Sequence, residues 1–129
     1  MNIALHHVFW VALGGSLGAV SRFLLTSWIN EKSTATFPWP TFTVNFLGSV
    51  LFGVLFVAVF ANHPQRELYR LLLLVGFLGS FTTFSTFSFE TVRLLESGLS
   101  WLALANILGS VISCVCGLWL GMGIARLVS

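Results

Sequence analysis

The sequence has very little charge. Only 6 basic and 4 acidic side chains occur in 129 residues, whereas 57% of the residues are hydrophobic and the mean hydropathy is +0.95. So few ionised groups do not cover a water-exposed surface, which excludes an ordinary soluble domain and favours a protein surrounded by lipid. The net charge of +2 is also too small to indicate a nucleic-acid partner.

Reactive and metal-ligating side chains are also scarce. The two cysteines, Cys114 and Cys116, are separated by one residue, so on a helix their side chains diverge by about 200° and cannot form a bridge. We interpret them as packing residues, since no cysteine–histidine cluster has the spacing of a metal site. A basic, glycine-rich phosphate-binding loop is missing too, and we expect no enzymatic activity.

Four charge-poor stretches are long enough to cross a bilayer. They lie near residues 5–29, 39–61, 69–92 and 100–126, and the connections between them are short. We therefore predict an all-α membrane protein, with residues 1–129 forming a single transmembrane domain of four helices. No basic region precedes the first apolar run, so we expect the first helix to be retained and not cleaved as a signal peptide.

The third stretch differs from an ordinary lipid-facing helix. Its middle reads Gly79-Ser80-Phe81-Thr82-Thr83-Phe84-Ser85-Thr86-Phe87-Ser88. Glycine and β-branched threonine weaken a helix, and freed backbone groups at membrane depth persist only where protein or water satisfies them. We predict a break around residues 79–82 at the membrane midplane, where such breaks usually mark ion or substrate sites.

Hydroxyl groups cluster where the third and fourth helices are expected to meet. Thr86 belongs to the third stretch, while Ser110 and Ser113 share one face of the fourth helix with Asn106. A single hydroxyl often bonds to its own helix, so each alone is weak support. Together, facing hydroxyls can line a dehydrated pathway with donors, which suits an anion better than a cation.

Two phenylalanines, Phe84 and Phe87, are three residues apart and share a face near these hydroxyls. Aromatic residues at helical spacing usually fill space, so packing is one interpretation. The other interpretation uses the ring edges, because the positive edge of an aromatic quadrupole attracts a small anion. The spacing alone is compatible with both.

Arg22 is the one full charge well inside the first stretch, and an intramembrane charge is costly enough to require a reason. It can snorkel to the interface, bind a structural partner or attract anions. In the four-helix prediction Arg22, Glu90 and Asn106 lie toward the same membrane side as Asn45. We therefore expect a polar vestibule on that side.

The basic residues are balanced across the predicted membrane. One side has Arg66, Arg70 and Arg126, and the other has Arg22, Lys32 and Arg93. The positive-inside rule therefore gives no preferred orientation. A chain that inserts both ways can pair with an opposed copy about a twofold axis in the membrane plane, which predicts an antiparallel, dual-topology homodimer.

Three blocks of the sequence resemble the Fluc (CrcB-type) fluoride channels of bacteria, and the resemblance covers nearly the whole chain. The blocks are Gly14-Gly15-Ser16-Leu17-Gly18-Ala19 leading to Arg22, Thr41-Phe42-Thr43-Val44-Asn45-Phe46-Leu47-Gly48, and Gly79 to Phe87. Pro40 stands where the family often has glycine, which affects no functional position. The resemblance implies passive, selective fluoride efflux across the bacterial inner membrane through two pores of an antiparallel dimer.

The resemblance also implies roles for individual residues. Phe84 and Phe87 look like the family's pore phenylalanines, Asn45 like its pore asparagine, and Ser110 like part of its hydroxyl track. The backbone carbonyls of Gly79 and Thr82, taken from both copies, look like the family's central sodium site. That sodium ion would be a structural cofactor and would not be transported.

Two other classes of small membrane protein compete with a channel. A proton-coupled exporter of the small multidrug-resistance type also has four helices and dual topology, but it should carry a glutamate within its first helix, and here none precedes Glu31. A non-transporting assembly factor would explain the small-residue faces around Gly18 and Gly121, which are typical of close helix packing. It would not explain the hydroxyl-rich third stretch.

Overall fold

The structure, a computed structural model, describes residues 4–60 and 64–128. Four helices in this part are long and apolar enough to span a membrane, which confirms the predicted number. Helix α1 is Leu5–Lys32, α2 is Trp39–Phe60 and α6 is Ser100–Val128, while the third span, Arg66–Glu96, is built from several shorter segments. Ala61, where the second helix was expected to end, lies outside the described residues.

The third span changes its backbone conformation several times. It consists of α3 (Arg66–Tyr69), a π-helical segment (Arg70–Leu78), α4 (Gly79–Phe81) and α5 (Phe84–Glu96). Between α4 and α5, Thr82 (φ −80°, ψ 158°) and Thr83 (φ −149°, ψ 118°) are extended. We call these two residues the interruption.

The interruption lies slightly later in the chain than the sequence suggests. Gly79 and Ser80, the expected centre of a break, are both helical. The chain leaves the helix at two consecutive threonines, whose branched side chains fit an extended backbone better than a helix. Glycine weakens a helix, but here the helix continues through Gly79 and is interrupted only at Thr82.

The spans are joined by turns with clear local causes. Pro40 is the second residue of α2, where a missing backbone N–H leaves no helical bond unmade. After α5, Gly98 has a φ of 75°, and the N–H of Leu99 reaches back to the carbonyl of Leu94. This glycine-dependent helix end reverses the chain into α6 within three residues.

Glycine allows the helices to approach closely in two pairs. Helix α1 packs along the π-helical segment and α4, and α2 packs along α6. A side chain at Gly18 would collide with the backbone of Phe77, and one at Gly121 would collide with the carbonyl of Val50. The predicted small-residue faces therefore bring backbones together, as is common between helices in lipid.

The buried apolar core is small and lies against α4. Its members are Val44, Leu74, Leu78 and Phe81, with Leu25, Phe52, Leu55 and Phe77 packed around them. Many other large apolar side chains along all four spans are exposed on the single chain. An apolar surface of this kind is typical of contact with lipid or with a partner protein. The core, in contrast, packs α2 against the end of the π-helical segment.

The glycine contacts generate a test of stability. We expect Gly18→Ala to destabilise the protein by about 1–3 kcal/mol, because the added methyl group meets backbone that cannot move aside. Gly123→Ala in α6 is the matched control, since its added methyl group would have no atom of another described residue within 4 Å, apart from its own helix and chain neighbours. The measurement is the fraction of detergent-purified protein that remains monodisperse after heating. Equal heat resistance of the two variants would contradict the close approach of α1.

Candidate ion pathway

Asn45 satisfies the backbone at the interruption. Its Oδ1 accepts a hydrogen bond of 2.8 Å from the N–H of Thr83, and its Nδ2 donates one of 3.0 Å to the carbonyl of Thr83. In a continuous α-helix that N–H would donate to the carbonyl of Gly79. The side-chain amide of Asn45 therefore takes the place of the helical acceptor for the Thr83 N–H and releases the Gly79 carbonyl from its usual partner.

Thr83 also starts the next helix. Its Oγ1 accepts a hydrogen bond of 3.1 Å from the backbone N–H of Thr86 and donates one of 3.0 Å to the hydroxyl of Thr86. This is the arrangement of a helix N-cap. Thr86, which the sequence assigned to the ion pathway, thus contacts the cap of α5, and its hydroxyl accepts the bond from Thr83.

Arg22 has a partner within the protein. Its Nη1 donates a hydrogen bond of 3.3 Å to the carbonyl of Thr82, the first residue of the interruption. Of the three roles open from the sequence, this contact supports a structural partner. It also places a cation beside one of the two carbonyls that the family resemblance assigns to sodium.

A groove of about 340 Å³ opens beside the interruption. Its walls come from α2, the third span and α6, and they contain the polar residues Asn45, Ser49, Thr82, Thr83 and Ser110 together with Phe84, Phe87 and Cys114. The groove therefore brings together Asn45, Phe84, Phe87 and Ser110, four of the six predicted fluoride-binding residues. Thr86 and Ser113 are not among its lining residues.

The two phenylalanines of the groove have different environments. Their ring centroids are 5.4 Å apart and the ring planes are inclined by 44°. Phe87 is 9% exposed and belongs to the interior, whereas Phe84 is 77% exposed. Packing within the chain accounts for Phe87 but not for Phe84.

The fourth span contributes a face that the sequence identified only in part. Ser113 donates a hydrogen bond of 3.3 Å to the carbonyl of Ser110 and does not line the groove. Cys114, which was expected to be only a packing residue, does line it. The sequence could have indicated this position. Asn106, Ser110 and Cys114 are each four residues apart, so all three lie on one face of α6.

The predicted vestibule residues do not meet in one chamber of the described structure. Glu90 accepts a hydrogen bond of 2.8 Å from Thr41 and lines a different cavity, of about 390 Å³, under the connection between α1 and α2. Its other oxygen, Oε2, is buried without a hydrogen-bond partner among the described residues. Asn106 is only 1% exposed, and Arg22 lies at the interruption.

The described residues offer no side-chain cluster for a metal. Within residues 4–60 and 64–128 there is no group of three or more histidine, cysteine, aspartate or glutamate side chains close enough to share one ion. The backbone carbonyls of Gly79 and Thr82 are oxygens of the kind that hard cations bind.

Comparisons with a family profile and with individual proteins identify the same family. Residues 9–122 match the family profile described as "CrcB-like protein, Camphor Resistance (CrcB)". A "Fluoride-specific ion channel FluC" from Hahella chejuensis is 50% identical over 95% of this chain and 96% of its own length. The proteins of the same name from Magnetococcus marinus and Geobacter sulfurreducens are 46% and 42% identical, over 94% and 90% of this chain and 98% and 94% of theirs. A profile match across most of the sequence and such identity over nearly the full length place this chain in the CrcB-like family.

Proposed function

We propose that the chain forms a fluoride-selective channel that lets fluoride leave the bacterial cytoplasm passively across the inner membrane. The observation that carries this proposal is the groove beside the interruption, where an amide, a hydroxyl and two phenylalanine rings meet. Relatives named as fluoride-specific ion channels support the choice of ion. The alternative of a proton-coupled exporter has no support from the family, and α1 has no acidic residue before Glu31.

Fluoride is small and strongly hydrated, so a narrow pathway must replace its water with protein donors and still let it leave. Asn45 uses one hydrogen of its Nδ2 on Thr83, which leaves the second hydrogen for an anion in the groove. Ser110 adds a hydroxyl, and the edges of Phe84 and Phe87 add weak positive potential.

A second copy of the chain is part of the proposal. In a single chain the groove is open, and Phe84 and several polar groups would face lipid, where unsatisfied polar groups are costly. An antiparallel copy that covers this surface would close the groove, place the interruption at the membrane midplane and create two pores related by a twofold axis. The equal numbers of basic residues on the two membrane sides support this arrangement.

A structural sodium ion at the centre of that dimer fits the backbone at the interruption. The carbonyl of Gly79 has lost its helical donor to Asn45, and a freed carbonyl in the membrane requires a new partner. The carbonyl of Thr82 accepts from Arg22 but has a second lone pair. Two such carbonyls from each copy would give a hard cation the oxygen ligands that it prefers.

The first test concerns the phenylalanines. We expect Phe84→Ile and Phe87→Ile to abolish most fluoride flux from liposomes while the dimer still elutes intact from a size-exclusion column. If the rings only fill space, such swaps usually cost less than about 1.5 kcal/mol and leave flux nearly unchanged. Phe9→Ile is the matched control, because Phe9 is exposed on α1 and does not line the groove. Near-normal flux in both groove variants would reject ring-edge coordination.

The second test concerns orientation. Thr34→Lys with Thr36→Lys adds two positive charges to the connection between α1 and α2, whereas Lys32→Gln with Arg93→Gln removes two from the same membrane side. We expect each double variant to insert in one orientation and to lose fluoride flux when expressed alone. Expressing the two together should restore flux. The antiparallel dimer is wrong if labelling of the unmodified protein finds a single orientation.

The third test concerns sodium. We expect the purified dimer to resist heating better in sodium chloride than in the chloride of a large organic cation, because a bound ion stabilises only the assembled state. Raising the concentration of sodium from well below to well above its dissociation constant should raise the melting temperature progressively. Identical melting temperatures at all sodium concentrations would argue against the ion. Sodium-dependent melting of separated monomers would argue against its place between two copies.

A further inference from the structure

A buried chain of hydrogen bonds runs from α5 to the groove face of α6. The hydroxyl of Thr91 donates to the carbonyl of Phe87 at 2.8 Å, and Nδ2 of Asn106 donates to that hydroxyl at 2.9 Å. The hydroxyl of Ser110 then donates to Oδ1 of Asn106 at 3.3 Å. Asn106 is 1% exposed, so water does not substitute for these partners.

The number of protons on each group fixes the direction of every hydrogen bond in this network. The carbonyl of Phe87 can only accept, so Thr91 spends its single hydroxyl proton there. Thr91 must therefore accept from Asn106, which turns Nδ2 toward Thr91 and Oδ1 toward Ser110. Oδ1 can only accept, so the single proton of Ser110 is directed at Asn106.

This direction matters because Ser110 lines the groove. With its proton engaged by Asn106, its hydroxyl presents lone pairs to the groove, and lone pairs repel an anion. To donate to fluoride, the hydroxyl must rotate and give up its bond to Asn106. At 3.3 Å that bond is the longest of the three, so fluoride can displace it, but the lost bond lowers the net gain from binding the ion.

We propose that Asn106 is a positioning residue that competes with fluoride for the hydroxyl proton of Ser110 and so limits how tightly the groove holds the ion. The inference rests on the proposed function, because it concerns fluoride in the same groove. A channel requires sites that bind an ion well enough for it to enter and weakly enough for it to leave. By competing for the hydroxyl proton, Asn106 weakens fluoride binding at Ser110 and so helps the ion to leave.

A purely structural role for Asn106 makes a different forecast. The network also ties α5 to α6, so removing it should lower stability whether or not Asn106 affects the ion. The stability loss also depends in part on Ser110, because the two side chains are hydrogen-bonded, but lost stability gives fluoride no reason to bind more tightly. The two roles are therefore separated by asking whether the effect of Asn106 on fluoride binding requires Ser110.

The experiment is a double-mutant cycle with Asn106→Leu, Ser110→Ala and both together, measured on dimers reconstituted in liposomes. The readout is the fluoride concentration that gives half-maximal flux. We expect Asn106→Leu to lower this concentration about two- to tenfold, the worth of one neutral hydrogen bond, because the hydroxyl proton becomes free. In the Ser110→Ala background the same substitution should cause no shift.

Thr91→Val provides a second route to the same answer if Asn106→Leu does not assemble. Without the Thr91 hydroxyl, the amide of Asn106 is no longer oriented and can turn its Nδ2 toward Ser110, which again frees the hydroxyl proton. We expect a smaller shift in the same direction, again only when Ser110 is present. An equal shift in both backgrounds, or none with Ser110 present, would overturn the inference.

The wild-type protein separates this inference from the function on which it rests. Saturable fluoride flux by the wild-type dimer, together with the background-independent shift, would leave the channel intact and remove only the role of Asn106. Absence of fluoride flux from the wild-type dimer would instead remove the proposed function itself.

Discussion

The pair of hydrogen bonds between Asn45 and the backbone of Thr83 is the interaction on which the rest of the site depends. A span that stops being helical inside a membrane exposes backbone groups, and each one left unsatisfied there costs several kcal/mol. One side-chain amide meets this requirement at Thr83, because it donates and accepts at once. The third span can therefore end at Phe81 and begin again at Phe84, and the groove forms where the helix is missing.

The glycine contacts determine what surrounds that groove. Since α1 packs directly against the backbone of the third span at Gly18, the guanidinium of Arg22, one turn further on, reaches the carbonyl of Thr82. Helix α6 approaches α2 through Gly121 in the same way, and Ser110 of the same helix lines the groove. Small side chains at the helix contacts thus place the polar side chains at the groove.

The four spans could be predicted from the sequence because a bilayer demands long runs without charge, and composition reports such runs directly. The interruption was expected around residues 79–82 and lies at Thr82 and Thr83. Its exact residues could not be predicted, since propensity points to Gly79 whereas the contact to the Thr83 backbone comes from Asn45 on another helix. Spacing put Phe84 and Phe87 on one face but could not tell that only Phe87 is buried. Asn106 was expected in a vestibule and lies inside, because helical periodicity assigns a face without saying what covers it.

The contrast between the two phenylalanines has a consequence for how mutations act on this protein. Phe87 is enclosed by its own chain, so a substitution there changes the packing of each chain even before two copies meet. Phe84 touches little of its own chain, and a different side chain there meets no resistance from the fold. We therefore expect a substitution of Phe84 to act mainly through what the ring meets beyond its own chain, and a substitution of Phe87 to act also through the fold.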